Sequence, residues 1–173
     1  MTVTVGRVRE MLRYSPIVGV FEWRKPGRRR RVGGLAGGVI STGYIRIVLD
    51  GKPYPAHRLA WLYMTGQWPE KDIDHIDGDR SNNAWNNLRE ATYTTNGWNK
   101  PKARNNRTGV KGVGRRDEAK PWQARVQANG IVWSASYATR EEAEEAVRVK
   151  REELHGEFTN HGEHIYQVEE RAD

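Results

Sequence analysis

The stretch Asp72-Ile73-Asp74-His75-Ile76-Asp77-Gly78-Asp79 sets a carboxylate beside an imidazole and follows the pair with an Asp-Gly turn. Ile73 to Ile76 reads as a short strand, residues 77–83 as a polar loop, and Leu88-Arg89-Glu90-Ala91 as a second strand. Thr92 is an N-cap for a helix running towards Lys100, where Pro101 stops it. Strand, loop, strand and helix in about thirty residues make one compact unit. Asn96 and Asn99 are three apart, so they share a helical face that can look back at the strand. A carboxylate, an imidazole and returning carboxamides are the parts for holding one hard metal ion next to a general base. Adjacent strand residues point to opposite faces, so bringing Asp74 and His75 to one site requires twist or a strand end. The competing reading is a loop of Asx turns, since Asp, Asn and Gly are ordinary turn residues.

Composition frames this unit. The 173 residues are 36% hydrophobic with mean hydropathy −0.87 and net charge +7, which favours two or three small modules and a polyanionic partner. Residues 1–56 carry +8, residues 57–108 carry +2 and residues 109–173 carry −3. Arg28, Arg29, Arg30 and Arg31, set among Gly27, Gly33 and Gly34, read as a flexible loop able to follow a phosphate backbone, or else as a solvated loop. No apolar run approaches the ~18 residues of a membrane span and no apolar signal core opens the chain, so a soluble, unexported protein is expected. The absence of Cys excludes disulfides and zinc-thiolate sites.

On either side of the unit, Val5 to Tyr14 has helical spacing up to Ser15-Pro16, and residues 20–24 alternate like a strand. Residues 44–49 and 52–54 form a hairpin on Asp50-Gly51, with prolines marking an edge strand. His57 to Thr65 is a helix ended by Gly66; its His57 reads as a capping or packing residue, and Arg58 could approach DNA. Past a basic linker at 101–108, residues 109–113, 122–127 and 132–137 suggest three antiparallel strands with Asn129-Gly130 at the second turn. A helix follows, opened by the capping box Thr139-Arg140-Glu141-Glu142. The fold class is therefore α+β, with the boundaries 1–56, 57–100, 101–108, 109–158 and a polar tail at 159–173.

Residues 57–100 resemble the HNH nuclease motif, a ββα-metal fold, in the form found among phage and intron-encoded homing endonucleases. The resemblance rests on His57-Arg58-Leu59-Ala60, Asp74-His75, Asp77-Gly78-Asp79, Asn82-Asn83, Asn87-Leu88-Arg89 and Thr92 to Asn99. It implies His75 as general base, Asp74 and Asn96 as ligands of a divalent cation, Asn87 as the residue that fixes the loop and orients His75, and a supporting role for Asn99. The cation implied is Mg2+, with Mn2+ the second candidate. A protein of this kind encoded by a phage would act in the cytoplasm of a bacterial host.

Residues 109–158 resemble the DNA-binding domain of plant APETALA and ethylene-response factors through Gly112-Val113, the Trp122-x-Ala124-x-Val126 strand, Trp133, Tyr137, Thr139 and Glu153-Leu154-His155-Gly156. That likeness makes Lys111, Arg116, Arg125, Gln127 and Trp133 candidate DNA contacts, joined by Arg28 to Arg31, Arg58 and Arg89; Trp133 reads equally well as core. Gly114 and Ala135 depart from the plant pattern, so its base preference does not transfer. The expectation is a metal-dependent DNA endonuclease of homing type acting on double-stranded DNA. A monomer would nick one strand, and a weak dimer could cut both. The alternatives are a sequence-specific DNA-binding protein with an inactive HNH unit, and an RNA-directed nuclease.

Overall fold

The computed structural model describes residues 2–103, 105–116 and 119–162. Most of the polar tail expected at 159–173 lies outside them. The chain divides into two compact units, residues 1–92 and 93–173.

In the first unit, helix α1 (Val5–Met11) is capped by Thr4, whose hydroxyl accepts the Arg7 amide. The spacing predicts a helix to Tyr14, but it stops at Met11. Leu12 and Tyr14 are buried and Arg13 is exposed, a period of two that forms strand β1 (Leu12–Ser15). It pairs antiparallel with β2 (Val20–Trp23), Tyr14 opposite Phe21. A second sheet has the order β3 (Gly38–Val39), β4 (Ile45–Leu49), β5 (Lys52–Pro55), which leaves the proline-bearing β5 at an edge. Asp50 and Gly51 take φ of 49° and 77°, the left-handed pair that a primed hairpin turn requires. Helix α2 (Ala56–Thr65) ends where Gly66, at φ 81°, returns its amide to the Leu62 carbonyl. Strands β6 (Asp72–His75) and β7 (Leu88–Ala91) pair antiparallel, Asp74 opposite Arg89 and His75 opposite Leu88.

Val8, Leu12, Phe21, Ile47, Leu59, Ile73 and Leu88 belong to one buried cluster. Residues 1–56, read from the sequence as a separate region, therefore share a core with α2, β6 and β7, because neither part has enough apolar surface to close a core alone. The arginine run is also tighter than a flexible loop. Gly27 and Arg30 exchange backbone hydrogen bonds of 3.1 and 3.0 Å around Arg28 and Arg29, and the Arg30 guanidinium lies 4.6 Å from the Trp23 ring centre.

The second unit begins with the short helix α3 (Tyr93–Trp98). Strands β8 (Val113–Arg115), β9 (Trp122–Ala128) and β10 (Ile131–Tyr137) form an antiparallel sheet of order β10-β9-β8, with Asn129 and Gly130 at φ 49° and 80° in the tight turn. The first strand was expected at 109–113. Instead Gly109 and Gly112 both sit at φ 78° in a turn, and a Cβ on Gly112 would lie 2.7 Å from the Arg125 carbonyl oxygen, so the strand can begin only at Val113. Helix α4 (Arg140–His155) starts in a complete capping box of Thr139 and Glu142. Ala143 and Val147 pack on Val110, Val113, Ala124 and Val126. Among the described residues no helix is long and apolar enough to cross a membrane.

Candidate active site

The loop between β6 and β7 is built by side chains doing the work of backbone. Asp77 accepts its loop neighbours Asp79 N (2.8 Å), Asn82 Nδ2 (2.7 Å) and Asn87 Nδ2 (2.9 Å), while its own amide donates to Asn87 Oδ1 at 3.0 Å. Asn87 also donates to the Asn82 carbonyl, and its own carbonyl receives the Ile76 amide. Asp and Asn favour such local bonds, and here they hold a long connection rigid. Asn87 thus spans the loop from end to end.

His75 is the last residue of β6, at the strand end, and is buried. Its Nε2 lies 3.1 Å from Oδ1 of the fully buried Asn83. Asn83 Nδ2 is committed to the Ser81 carbonyl, which fixes the amide so that its oxygen faces the imidazole. Nε2 therefore carries the hydrogen, and in the neutral ring the lone pair falls on Nδ1. Burial pushes the His75 pKa down, against the raising effects of Asn83, Asp77, Asp74 and Asp79, which favours the neutral ring with its Nδ1 lone pair.

His57, at the start of α2, meets His75 edge-on with ring centres 5.2 Å apart, and Tyr44 lies 5.2 and 5.9 Å from the two imidazoles. Nδ1 of His57 is buried with no hydrogen-bond partner among the described residues. Burial, then the neighbouring His75 and Arg58, push its pKa down to about 3. The folded protein refuses a proton that the unfolded chain accepts near 6.5, so this contribution is complete above pH 6.5 and is lost as pH falls towards 3. Urea unfolding should show a loss on the order of 4 kcal/mol between pH 7 and pH 3, and His57→Phe should remove most of it. An unchanged pH dependence in that variant would assign the acid sensitivity to other groups.

Asp74 has different company. Nε and NH2 of Arg89, its cross-strand neighbour, donate to Asp74 Oδ2 at 3.0 and 2.8 Å, with both side chains largely buried. Among the described residues no three His, Cys, Asp or Glu side chains are grouped to hold a metal. The expected donor set, one carboxylate from Asp74 and one carboxamide from Asn96, is all oxygen, which suits a hard cation that keeps several waters.

The remaining expected residues fall in three groups. Asn96 lies half-buried on α3, which belongs to the second unit. Asn99 is buried there, its side chain and carbonyl both accepting from Asn160 Nδ2. Lys111, expected to contact DNA, is turned inward. Its ammonium donates to the carbonyls of Trp98 (2.8 Å), Lys100 (2.6 Å) and Asn160 (3.0 Å), and burial lowers its pKa to about 8. Trp133 takes the core reading, because its register partner is the buried Val126 and it packs on the second core. Arg58 donates to the carbonyls of Pro69 and Lys71, and Arg89 is engaged by Asp74. Arg28, Arg29, Arg31, Arg116, Arg125 and Gln127 are exposed. With Arg30, the first two line an open groove of about 640 Å3 that also includes Arg46, Leu35 and Val39.

Three neighbours of the imidazole were not singled out for that role from the sequence: Asn83, His57 and Tyr44. The His57-Arg58-Leu59-Ala60 helix start and the Asn82-Asn83 doublet were visible as motif letters. Their convergence on His75 depends on how α2 and β4 pack against β6, which no local spacing encodes.

A family model described as HNH endonuclease matches residues 54–97, a span that includes His57, Asp74, His75, Asn87 and Asn96. Protein 3.8 of Escherichia phage T7 is 34% identical over 105 residues, 59% of this chain and 85% of that protein. The uncharacterized HNH endonuclease L560 of Acanthamoeba polyphaga mimivirus is 36% identical over 105 residues, 59% of this chain and 54% of that protein, so the chain spans about half of its length. A solved structure described as DNA binding and cleavage by the HNH homing endonuclease I-HmuI aligns over 73% of this chain and 72% of that chain, at 21% identity and a TM-score of 0.41.

Proposed function

The chain belongs to the same family as Protein 3.8 of Escherichia phage T7 and carries an HNH endonuclease domain; from that premise we propose that it is a divalent-metal-dependent endonuclease that nicks one strand of double-stranded DNA. The observation that carries the reading is the buried imidazole of His75 with Nε2 3.1 Å from an Asn83 amide oxygen whose orientation Ser81 fixes, an arrangement that favours a neutral ring with its lone pair on Nδ1. In this reading Nδ1 takes a proton from the attacking water. The rigid loop pinned by Asn87 keeps the ring from turning away. Oxygens of Asp74 and Asn96 would hold the cation, Mg2+ or Mn2+, which when bound supplies charge neutralisation at the phosphate and help for the leaving oxygen. Asn99 supports Asn96 by ordering the end of α3.

Targeting is assigned to two basic surfaces. One is the groove beside Arg28 to Arg31, whose guanidinium groups suit phosphates. The other is the sheet face opposite α4, where Arg125 and Gln127 alternate with buried Ala124, Val126 and Ala128, and where Ser134 and Val132 stand opposite them on β10. Three strands and a packed helix support the likeness to the plant transcription-factor domain, with Arg116 at the sheet's edge. A homing role, nicking as a monomer, and action inside a bacterial host belong to this proposal.

One observation favours a second reading. Arg89 occupies an oxygen of Asp74, as expected if the unit binds DNA without cutting it. Supercoiled plasmid separates the two. With Mg2+ or Mn2+ the protein should convert it to open circles, and EDTA should stop the conversion. Plasmid that is bound in a mobility shift yet stays supercoiled in both metals would leave only the binder, and preferential competition by RNA would redirect the substrate.

A further inference from the structure

The turn joining β1 to β2, Pro16-Ile17-Val18-Gly19, puts two aliphatic side chains in water at its tip, with Ile17 88% and Val18 64% exposed. Isolated exposed hydrophobes are ordinary. This pair differs in sitting on a turn whose backbone is pinned. At the hairpin's root Tyr14 and Phe21 are buried and stacked with ring centres 4.7 Å apart. At its tip the Gly19 amide closes on the Ser15 carbonyl at 2.8 Å.

The turn is also docked on the catalytic loop. The Pro16 carbonyl accepts the Trp85 amide at 2.8 Å, and the Tyr14 hydroxyl donates to the Asn83 carbonyl at 2.6 Å. Gly19, at φ 73°, lies so close to this loop that a Cβ would fall 2.2 Å from the Ala84 nitrogen. Asn83 is the residue that holds His75. A rigid apolar tip is thus tied through one residue to the imidazole.

We propose that Ile17 and Val18 form a wedge that enters a base step of duplex DNA in the minor groove and bends the duplex against the active site. This rests on the endonuclease reading above. Apolar side chains inserted between base steps unstack and kink DNA, and the cost is offset by the extra surface the bend brings into contact. The +8 charge of residues 1–56 favours a polyanion over a second copy of this chain. Two aliphatic side chains also fall far short of the roughly 1,000 Å2 that a stable protein interface needs.

The test pairs wild type with Ile17→Ala/Val18→Ala and with Ile17→Asp. Both positions are exposed, so melting temperatures should not change. Plasmid relaxed by a metal-independent topoisomerase in EDTA with wild-type protein bound should show a shifted topoisomer distribution after deproteinisation. The double variant should lose that shift and nick plasmid about tenfold more slowly, while the salt dependence of binding stays the same. The topoisomer result decides: no shift with wild type, or an equal shift with the double variant, overturns the wedge. A wild-type dimer that the double variant dissolves would assign the tip to self-association. Wild-type protein that neither binds nor nicks plasmid would remove the endonuclease reading and the wedge together; nicking with no topoisomer shift would remove the wedge alone.

Discussion

His75→Ala should slow plasmid nicking by about 10²- to 10⁴-fold, the range set by losing a positioned general base. The imidazole is buried and its hydrogen bond goes to an equally buried amide oxygen, so the variant also leaves Asn83 Oδ1 without this donor. That loss costs about 1–3 kcal/mol of stability, enough to confuse a rate measured near the melting transition. His75→Gln keeps a donor of similar reach and removes the base. Both variants should bind plasmid in EDTA as wild type does and fail to nick in Mg2+. A His75→Gln protein that nicks at the wild-type rate would take the base away from this residue.

The second large effect lies at Asp74 and Arg89. Arg89→Met removes the guanidinium from a carboxylate that is 6% exposed. Breaking such a buried pair costs about 3–5 kcal/mol, because the carboxylate stays shielded from water after the guanidinium that faces it is gone. Urea unfolding of Arg89→Met should report a loss of that size. Asp74→Leu/Arg89→Met removes both charges and should recover most of the stability, since apolar replacement of a buried pair is often neutral. Nicking should separate from stability in the same pair of proteins. If Asp74 holds the cation, the double variant folds and does not cut. A double variant that is well folded and still active would place the metal ligands elsewhere.

What the sequence showed and what it hid divide along the chain distance between partners. The bounds of β7, the primed turns at Asp50-Gly51 and Asn129-Gly130, and the capping box at Thr139 follow from rules acting over four residues or fewer. The helix that ends at Met11 and the strand that starts only at Val113 were obscured because pairing or close packing overrode local pattern. At the site, Asp74 and His75 on β6 and Asn87 at the far end of the connection that follows were visible as letters of one motif. The closeness of His57 to His75 was not, since it is set by the packing of α2. Lys111 was named a DNA contact by the likeness to the plant domain, and local pattern could not show that its ammonium is taken by three carbonyl acceptors between 11 and 49 residues away in the chain. Trp133 could be assigned to the core only once its register against Val126 was known.

Helix α3 has only six residues, too few to persist in water on their own helical propensity. It is fastened by groups far downstream: the Lys111 ammonium on the Trp98 and Lys100 carbonyls, Asn160 on Asn99, and the His155 ring stacked on Trp98 with centres 4.5 Å apart. For anyone wishing to transplant the HNH unit onto another protein, the boundary suggested by the motif near residue 100 is therefore the wrong place to splice. A graft ending there carries the letters of α3 but leaves behind the residues that make it a helix, so a portable version must extend at least to Asn160.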